Sequence, residues 1–334
     1  MARTKPFEEH PLDYEEWFEK NRFAYESELE AIRGEFRRNP SLFFQCLLVI
    51  LLLTILVGCS ILMDGVDRPD NPFPHQWIGN IDQVDFNEPS GIVFHPGRET
   101  LFVVGDDGDI CEIHTDGTLV KQKRIRSADF EGITCDPSTG LLYIAIEGEE
   151  KIIEIDPEDL GVLREFAIDR TFRGALVLKA GGQGIEAITF VADSNHPQGG
   201  TFFVTNQGFD LNNNEDASAI FELEVPLRPG SASDTVAKVV RYFSVGVIDL
   251  SGLYYDAISG HLYVVSDATN TLFEVTRQGK IVQAYAFPGE NQEGIAVDAN
   301  GFLYIAQDSG GIIKVKWNRK GQQAQKQWGL WLLG

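Results

Sequence analysis

The sequence predicts an all-β domain, a five-bladed β-propeller, preceded by one transmembrane helix and a short cytoplasmic helical segment. Three observations lead to this prediction. One uninterrupted apolar run occurs near the N-terminus, five copies of a single strand plan follow it, and turn residues separate the strands of each copy. Short strands rich in Val, Ile, Phe and Tyr, repeated at intervals of about 40 residues, are typical of propeller blades.

The apolar run covers residues 42–63, which are 22 residues without a charged side chain. A helix of this length rises 1.5 Å per residue and spans the roughly 30 Å of a bilayer core. Three arginines lie between residues 33 and 38, and three aspartates lie between residues 64 and 70. The positive-inside rule therefore places the N-terminus in the cytoplasm. We expect a bacterial inner-membrane protein with a periplasmic propeller.

A second interpretation of the same run stays open. Residues 56–60, Leu-Val-Gly-Cys-Ser, resemble a bacterial lipoprotein cleavage box, in which Cys59 would carry the lipid. More than forty residues precede the apolar run, which is long for a signal peptide and favours an uncleaved anchor.

Both ends of the chain are rich in apolar side chains. The N-terminal segment contains seven aromatic residues between Phe7 and Phe36, and the C-terminal tail ends in Gln327-Trp-Gly-Leu-Trp-Leu-Leu-Gly334. Apolar surface of this extent is normally buried against another surface. For the tail, that surface is the propeller, the membrane interface or another subunit. The predicted regions are a cytoplasmic helical segment (1–41), a transmembrane helix (42–63), a linker (64–75), the propeller (76–318) and the apolar tail (319–334).

Each of the five repeats opens with a short motif that contains a Gly or Ala at one aligned position. A first strand, a Gly- or Pro-containing turn and further short strands follow, to a total of four strands in the first four repeats. The openings are Glu88-Pro-Ser-Gly-Ile92, Asp129-Phe-Glu-Gly-Ile133, Gly184-Ile-Glu-Ala-Ile188, Asp249-Leu-Ser-Gly-Leu253 and Asn291-Gln-Glu-Gly-Ile295.

Five blades is the economical count, and six is the alternative. The aligned positions are 41, 55, 65 and 42 residues apart, and the two long gaps contain loop-like insertions. The fifth repeat lacks a fourth strand, but residues 76–84 form an unassigned strand before the first repeat. This strand can complete the last blade and remove an exposed sheet edge.

The composition limits the classes of partner. The chain has 28 Lys and Arg against 50 Asp and Glu, a net charge of −22, and residues 64–334 carry about −19 of it. Such a surface repels nucleic acid. We expect other membrane-protein subunits and, through residues 42–63, the lipid bilayer as partners. Cys111 and Cys135 lie in neighbouring repeats, where either a disulfide or two buried thiols fits the pattern.

Oxygen-bearing side chains recur at three positions of the repeats. In a propeller, the start of each first strand and the end of each second strand meet at one mouth of the central channel. The residues there are Ser90, Glu131, Glu186, Ser251 and Glu293 before the aligned Gly or Ala, then Glu88, Asp129, Gly184, Asp249 and Asn291 two positions earlier, and Asp106, Glu147, Gln207, Asp267 and Asp308 after the second strands.

Carboxylates that converge in this way repel one another unless a cation neutralises them, and hard oxygen ligands in this number suit calcium. We therefore predict a calcium ion held by Glu131, Glu186 and Glu293, with Asp267 and Asp308 next in rank. The alternative is that these acids accept backbone hydrogen bonds in turns and face water. Residues 209–216 start like an EF-hand loop but lack its later ligands, which favours a solvated loop.

The repeated Glu-x-Ser-Gly-Ile and Glu-Gly-Ile openings, the acidic composition and the N-terminal apolar run resemble those of the SdiA-regulated (YjiK-like) family. The resemblance covers roughly residues 75–318. It implies a five-bladed, calcium-binding propeller distantly similar to NHL-repeat propellers, some of which are metal-dependent hydrolases.

The sequence favours a binding or scaffold subunit of a membrane complex over an enzyme. Catalysis at the mouth would need a base beside the metal, and the five histidines after residue 63 fall outside the recurring positions. No side chain is assigned a catalytic role. The alternative is a metal-dependent hydrolase of the lactonase or phosphoesterase type, with its site at the channel mouth.

Overall fold

The computed structural model of the protein is all-β in the part of the chain that it describes. The transmembrane segment predicted at 42–63, the lipidation alternative at Cys59 and the tail beyond Arg319 lie outside that part. Within it, no helix is long and apolar enough to cross a membrane. The described residues are 69–81, 86, 88–210, 218–228 and 235–319.

The strands are short and follow the repeat plan read from the sequence. Their bounds are β1 His75–Asn80, β2 Pro89–His95, β3 Thr100–Gly105, β4 Asp109–Ile113, β5 Leu119–Arg124, β6 Asp129–Cys135, β7 Leu142–Glu147, β8 Lys151–Asp156, β9 Gly161–Asp169, β10 Thr171–Phe172, β11 Ala175–Leu176, β12 Ile185–Ala192, β13 Gly200–Asn206, β14 Ile220–Glu224, β15 Val236–Phe243, β16 Gly252–Asp256, β17 His261–Ser266, β18 Thr271–Thr276, β19 Ile281–Ala286, β20 Gln292–Val297, β21 Phe302–Gln307 and β22 Ile312–Trp317.

Each repeat folds into an antiparallel unit in which sequential strands are neighbours. The first unit is β2-β3-β4-β5 and the fourth is β16-β17-β18-β19. The second and third units form one eight-stranded sheet, because their outermost strands β9 and β15 pair in parallel from Ala167 with Val236 to Asp169 with Lys238. This joint was not predicted from the sequence.

The fifth unit contains strands from both ends of the described chain. Strand β1 pairs antiparallel with β22, from His75 opposite Trp317 to Asn80 opposite Ile313. The unit therefore has the order β1-β22-β21-β20. The prediction that an N-terminal strand completes the last repeat is confirmed, with the strand at His75–Asn80.

The first strands of the units, β2, β6, β12, β16 and β20, are the inner strands. They contact one another in a cycle, from β2 to β6, β12, β16 and β20 and back to β2. Five apolar clusters fill the interfaces between consecutive units, and one of them joins the last unit to the first by packing Tyr304 with Leu101. The fold is thus propeller-like, with its core between radially arranged sheets.

The backbones of neighbouring inner strands approach one another closely at the centre, which explains the glycine at the aligned position of the repeats. A β-carbon on Gly132 would lie 2.7 Å from the backbone nitrogen of Ile188 and 2.9 Å from Cα of Ala187. A β-carbon on Gly294 would lie 2.8 Å from the backbone nitrogen of Ile92. Because the obstacles are backbone atoms, a side chain at these positions forces neighbouring inner strands apart.

Gly132→Ala is expected to lower the free energy of unfolding by about 1–3 kcal/mol, the usual cost of overpacking. The added methyl group has no space beside the third unit. Urea unfolding, followed by circular dichroism, measures the change. Gly182→Ala is the matched control, because a β-carbon there meets no atom within 4 Å. Equal stability of the two variants would contradict close packing of the inner strands.

Candidate metal centre

Irregular pairing at the start of the inner strands directs side chains into the channel. Four inner strands shift register against their second strands at the repeat opening, which leaves residues there without a direct cross-strand partner. Such bulges re-aim side chains and occur often at functional sites. The residues at the shifts are Ser90, Glu131, Glu186 with Ala187, and Glu293 with Gly294.

The backbone is also unusual just before the inner strands. Glu88, Asp249 and Asn291 occupy the same repeat position and have φ angles of 44°, 54° and 50°. Left-handed backbone is uncommon for residues other than glycine and is found in excess at functional sites. Asp249 is held by two contacts: Gln207 Nε2 donates to its Oδ1 at 3.0 Å and the Ala268 nitrogen donates to its Oδ2 at 2.8 Å.

The bulged residues and the ends of the second strands enclose one small polar cavity of about 180 Å³, which we call the acidic mouth. Four of the five predicted metal ligands, Glu131, Glu186, Glu293 and Asp308, line it. Asp267 does not line it, and its Oδ1 accepts a hydrogen bond from the Gln292 nitrogen at 2.9 Å. The remaining lining residues are Ser90, Asp106, Glu147 and Gln207.

Asp106 and Asp129 also belong to this site, although sequence reasoning alone does not rank them above their neighbours. One carboxylate oxygen each from Asp106, Asp129 and Glu131 lies within 4.8 Å of the other two. Ser90 Oγ donates a hydrogen bond to Asp106 Oδ1. This group could have been predicted from the contact between the first and second units, because the end of β3 approaches the start of β6 there.

Burial and mutual repulsion disfavour the ionised form of these carboxyl groups. Burial, together with the charges of Glu147 and Glu293, raises the pKa of Glu186 to about 10. Burial likewise raises the pKa of Glu131, with a contribution from Glu186, and that of Glu293, with a contribution from Asp267. Burial raises the pKa of Asp106 to about 6.

A second set of buried acids shows what distinguishes the mouth. Glu112, Glu154 and Glu222 lie on the third strands of their units, and each has an arginine partner: Arg98 at 2.8 Å, Arg164 at 2.5 Å and Arg241 at 2.6 Å. Among the described residues, no Lys, Arg or His forms an ion pair with the carboxylates that line the mouth. The protein thus pairs these three buried acids with arginines and leaves the acids of the mouth without a counter-charge from the described residues.

The arrangement suits a hard cation. Calcium takes six to eight oxygen ligands from carboxylates, amides and carbonyls, and the mouth offers carboxylates together with Gln207 and Ser90. Nitrogen and sulfur ligands, which zinc prefers, are absent from its lining.

Other groups singled out in the sequence lie elsewhere. His95 is buried and bonded to the Gly140 carbonyl at 2.9 Å, and His261 Nδ1 lies 2.6 Å from Glu274. Cys111 and Cys135 are buried and no disulfide joins them. The insertion at 209–216 is described only as far as Asp210, so its loop lies outside the described residues.

Comparison with known proteins identifies the family. The model of the SdiA-regulated family matches residues 78–309. The chain therefore belongs to the SdiA-regulated family, as its repeated openings predicted.

Solved structures resemble the fold at low sequence identity. Glutaminyl cyclase of Myxococcus xanthus is 14% identical, with a TM-score of 0.51, over 73% of this chain and 97% of that one. The β-propeller domain of Cps50 (Swd1) from Myceliophteria thermophila is 12% identical, with a TM-score of 0.42, over 73% of this chain and 99% of that one. At 14% identity, the likeness to the glutaminyl cyclase concerns the fold alone.

In a chelating buffer, the free energy of unfolding is expected to fall as the pH rises from about 5 to 9. The folded protein keeps a proton on Glu186 up to a pKa of about 10, whereas an unfolded glutamate loses it near 4.3. The folded state therefore binds more protons in this window, and stability falls with pH by up to about 1.4 kcal/mol per unit for one group.

Glu186→Gln is expected to flatten this slope, because the amide has no proton to lose. Urea unfolding at several pH values measures it. Glu149→Gln is the control, since the pKa of Glu149 is lowered by its hydrogen bond from Lys151 and the group stays ionised throughout the window. An unchanged slope in Glu186→Gln would contradict the electrostatics described for the mouth.

Proposed function

We propose that this member of the SdiA-regulated family is a membrane-anchored, extracytoplasmic, calcium-binding propeller of five blades that acts as a binding or scaffold subunit of a larger membrane complex. We base the calcium part of the proposal on one observation: buried and half-buried carboxylates converge in the acidic mouth without a counter-charge from the described residues. The cycle of contacts among five inner strands supports the blade count.

Glu131, Glu186 and Glu293 are the proposed principal ligands, since each comes from an inner strand and enters the mouth. Asp308 is a further proposed ligand, from the end of β21. Asp267 ranks last, because its Oδ1 already accepts a hydrogen bond from the Gln292 nitrogen. Calcium would supply the positive charge that the site lacks and would link at least three units across the channel. A ligand that binds only the folded form stabilises it by RT ln(1 + L/Kd), where L is the free ligand concentration, so calcium would raise the free energy of unfolding.

The anchor at residues 42–63, with the propeller at 76–318 outside the membrane, belongs to the proposal. Its support is the length of the apolar run and the charge bias around it. Cys59 as a lipidated anchor is the alternative.

The outermost strands support a role in binding other proteins. Large apolar side chains are exposed on them, for example Trp77 at 52% and Ile78 at 47% on β1, and Leu163 at 50% on β9. Exposed apolar groups on several sheet edges are typical of surfaces that contact a partner.

A metal-dependent hydrolase is the second candidate, because carboxyl groups with raised pKa values can act as acids or bases beside a metal. The lining of the mouth favours binding over hydrolysis. Among the described residues, the histidines lie outside the cavity, and the cavity of about 180 Å³ leaves little space for a substrate beside an ion.

Glu131→Gln is expected to weaken calcium binding by about 100-fold, because a ligand charge is lost at the centre of the mouth. Isothermal titration calorimetry of the full chain in mild detergent measures the affinity. Asp107→Asn is the matched control, since Asp107 lies beside Asp106 but is 57% exposed and 3.5 Å from Arg124. Failure of the unsubstituted protein to bind calcium at millimolar concentration would refute the calcium proposal.

The scaffold role predicts a particle larger than the 37.2 kDa chain when the protein is extracted from its native membrane in mild detergent. Size-exclusion chromatography with light scattering gives the mass, and mass spectrometry names the companions. A dissociating detergent serves as the reference for the monomer. A lone monomer in both detergents would contradict the scaffold proposal and favour the hydrolase.

A further inference from the structure

A second and larger cavity opens at the end of the channel opposite the acidic mouth. Its volume is about 610 Å³, and its wall consists of the C-terminal halves of the five inner strands and the turns that follow them. We call it the apolar cup. Representative lining residues are Phe94, Pro137, Phe190, Ala192, Tyr255 and Val297.

Three polar side chains in the wall of the cup already have hydrogen-bond partners. The hydroxyls of Thr134 and Thr189 accept hydrogen bonds from the backbone nitrogens of Phe190 and Tyr255, at 2.9 and 3.1 Å. Asp298 accepts from the Tyr304 hydroxyl at 2.9 Å and from backbone nitrogens of its own turn. The cup therefore offers contact surface for aliphatic and aromatic groups and has little to offer a charged ligand.

The described chain ends at the rim of this cup. Strand β22 runs to the turn after β20, where the Trp317 nitrogen donates to the Gly301 carbonyl at 3.1 Å. Arg319 Nη1 then donates to Asp256 Oδ1 at 2.8 Å, and both side chains are nearly buried. Asp256 lies between Tyr255 and Ala257, which line the cup.

The residues that follow have the composition that the cup requires. Lys320–Gln327 is polar, and Trp328, Leu330, Trp331, Leu332 and Leu333 come after it. Nine residues from Arg319 to Trp328 span up to about 30 Å when extended, which is enough to reach any part of a cavity whose rim holds Arg319. Each buried tryptophan removes about 150–250 Å² from water.

We propose that the last part of the apolar tail, residues 327–333, binds in the apolar cup of its own propeller. The short polar connection favours the same chain over a second copy, because it gives the tail an effective concentration in the millimolar range. The acidic mouth is no alternative, since tryptophan and leucine side chains cannot replace the solvation that its carboxylates lose.

Disulfide trapping in the full chain in mild detergent tests the proposal. Cys46, Cys59 and Cys135 are first replaced by Ala, and Leu332→Cys is combined with Ala257→Cys at the cup. The control combines Leu332→Cys with Ser309→Cys, an exposed turn position at the opposite end of the channel. Mild oxidation is expected to give at least tenfold more intramolecular disulfide in the cup pair. Equal yields, or mainly intermolecular disulfides, would overturn the proposal.

A second measurement leaves the cup unchanged. Deleting residues 327–334 is expected to increase the fluorescence of an anilinonaphthalene sulfonate dye severalfold, because the cup becomes open to it. A synthetic peptide of residues 320–334 should reverse the increase. Equal dye binding by the full and shortened chains would mean that the tail is in the detergent or on another protein, and would overturn the proposal.

Discussion

The close approach of the inner strands at the centre is the constraint on which the rest of the structure depends. Backbone atoms of neighbouring strands leave no space for a β-carbon at Gly132 or Gly294. The strands therefore touch at one level, and the channel widens above and below it into two cavities of opposite character. The bulges that accompany this contact direct Glu131 and Glu293 to one side, whereas the regular remainder of each strand presents aliphatic and aromatic groups to the other.

Buried charge in this protein follows two different rules. On the third strands, each buried glutamate has a basic partner, and the pair satisfies both groups within the sheet, as Glu154 does with Arg164. At the acidic mouth, the acids face one another and the protein supplies no opposite charge from the described residues. Burying several carboxylates together is costly unless they are protonated or bind a cation. Under the proposed function, the carboxyl groups would be protonated in a chelator and would lose protons when calcium binds, which would link proton release to metal binding.

Much of the candidate site could be predicted because the repeats place equivalent residues at equivalent heights. Glu131, Glu186 and Glu293 share one offset from the aligned Gly or Ala, so one correctly aligned repeat locates the others. The parallel pairing of β9 with β15 could not be predicted, because it joins the outermost strands of two different units and the repeat pattern relates strands only within a unit. The apolar cup could not be predicted from the sequence either. Its lining residues are ordinary strand residues, and only closure of the ring brings Phe94, Phe190 and Tyr255 to one cavity.

Anomalous diffraction from crystals of the full chain grown with calcium, and again with terbium in its place, tests the central claim most directly. The account predicts one strong peak in the acidic mouth, 2.3–2.6 Å from carboxylate oxygens of at least two of Glu131, Glu186 and Glu293. A mouth without a peak at saturating metal, with these carboxyl groups protonated or bridged by water, would contradict it. A peak only at exposed acids elsewhere on the surface would contradict it equally.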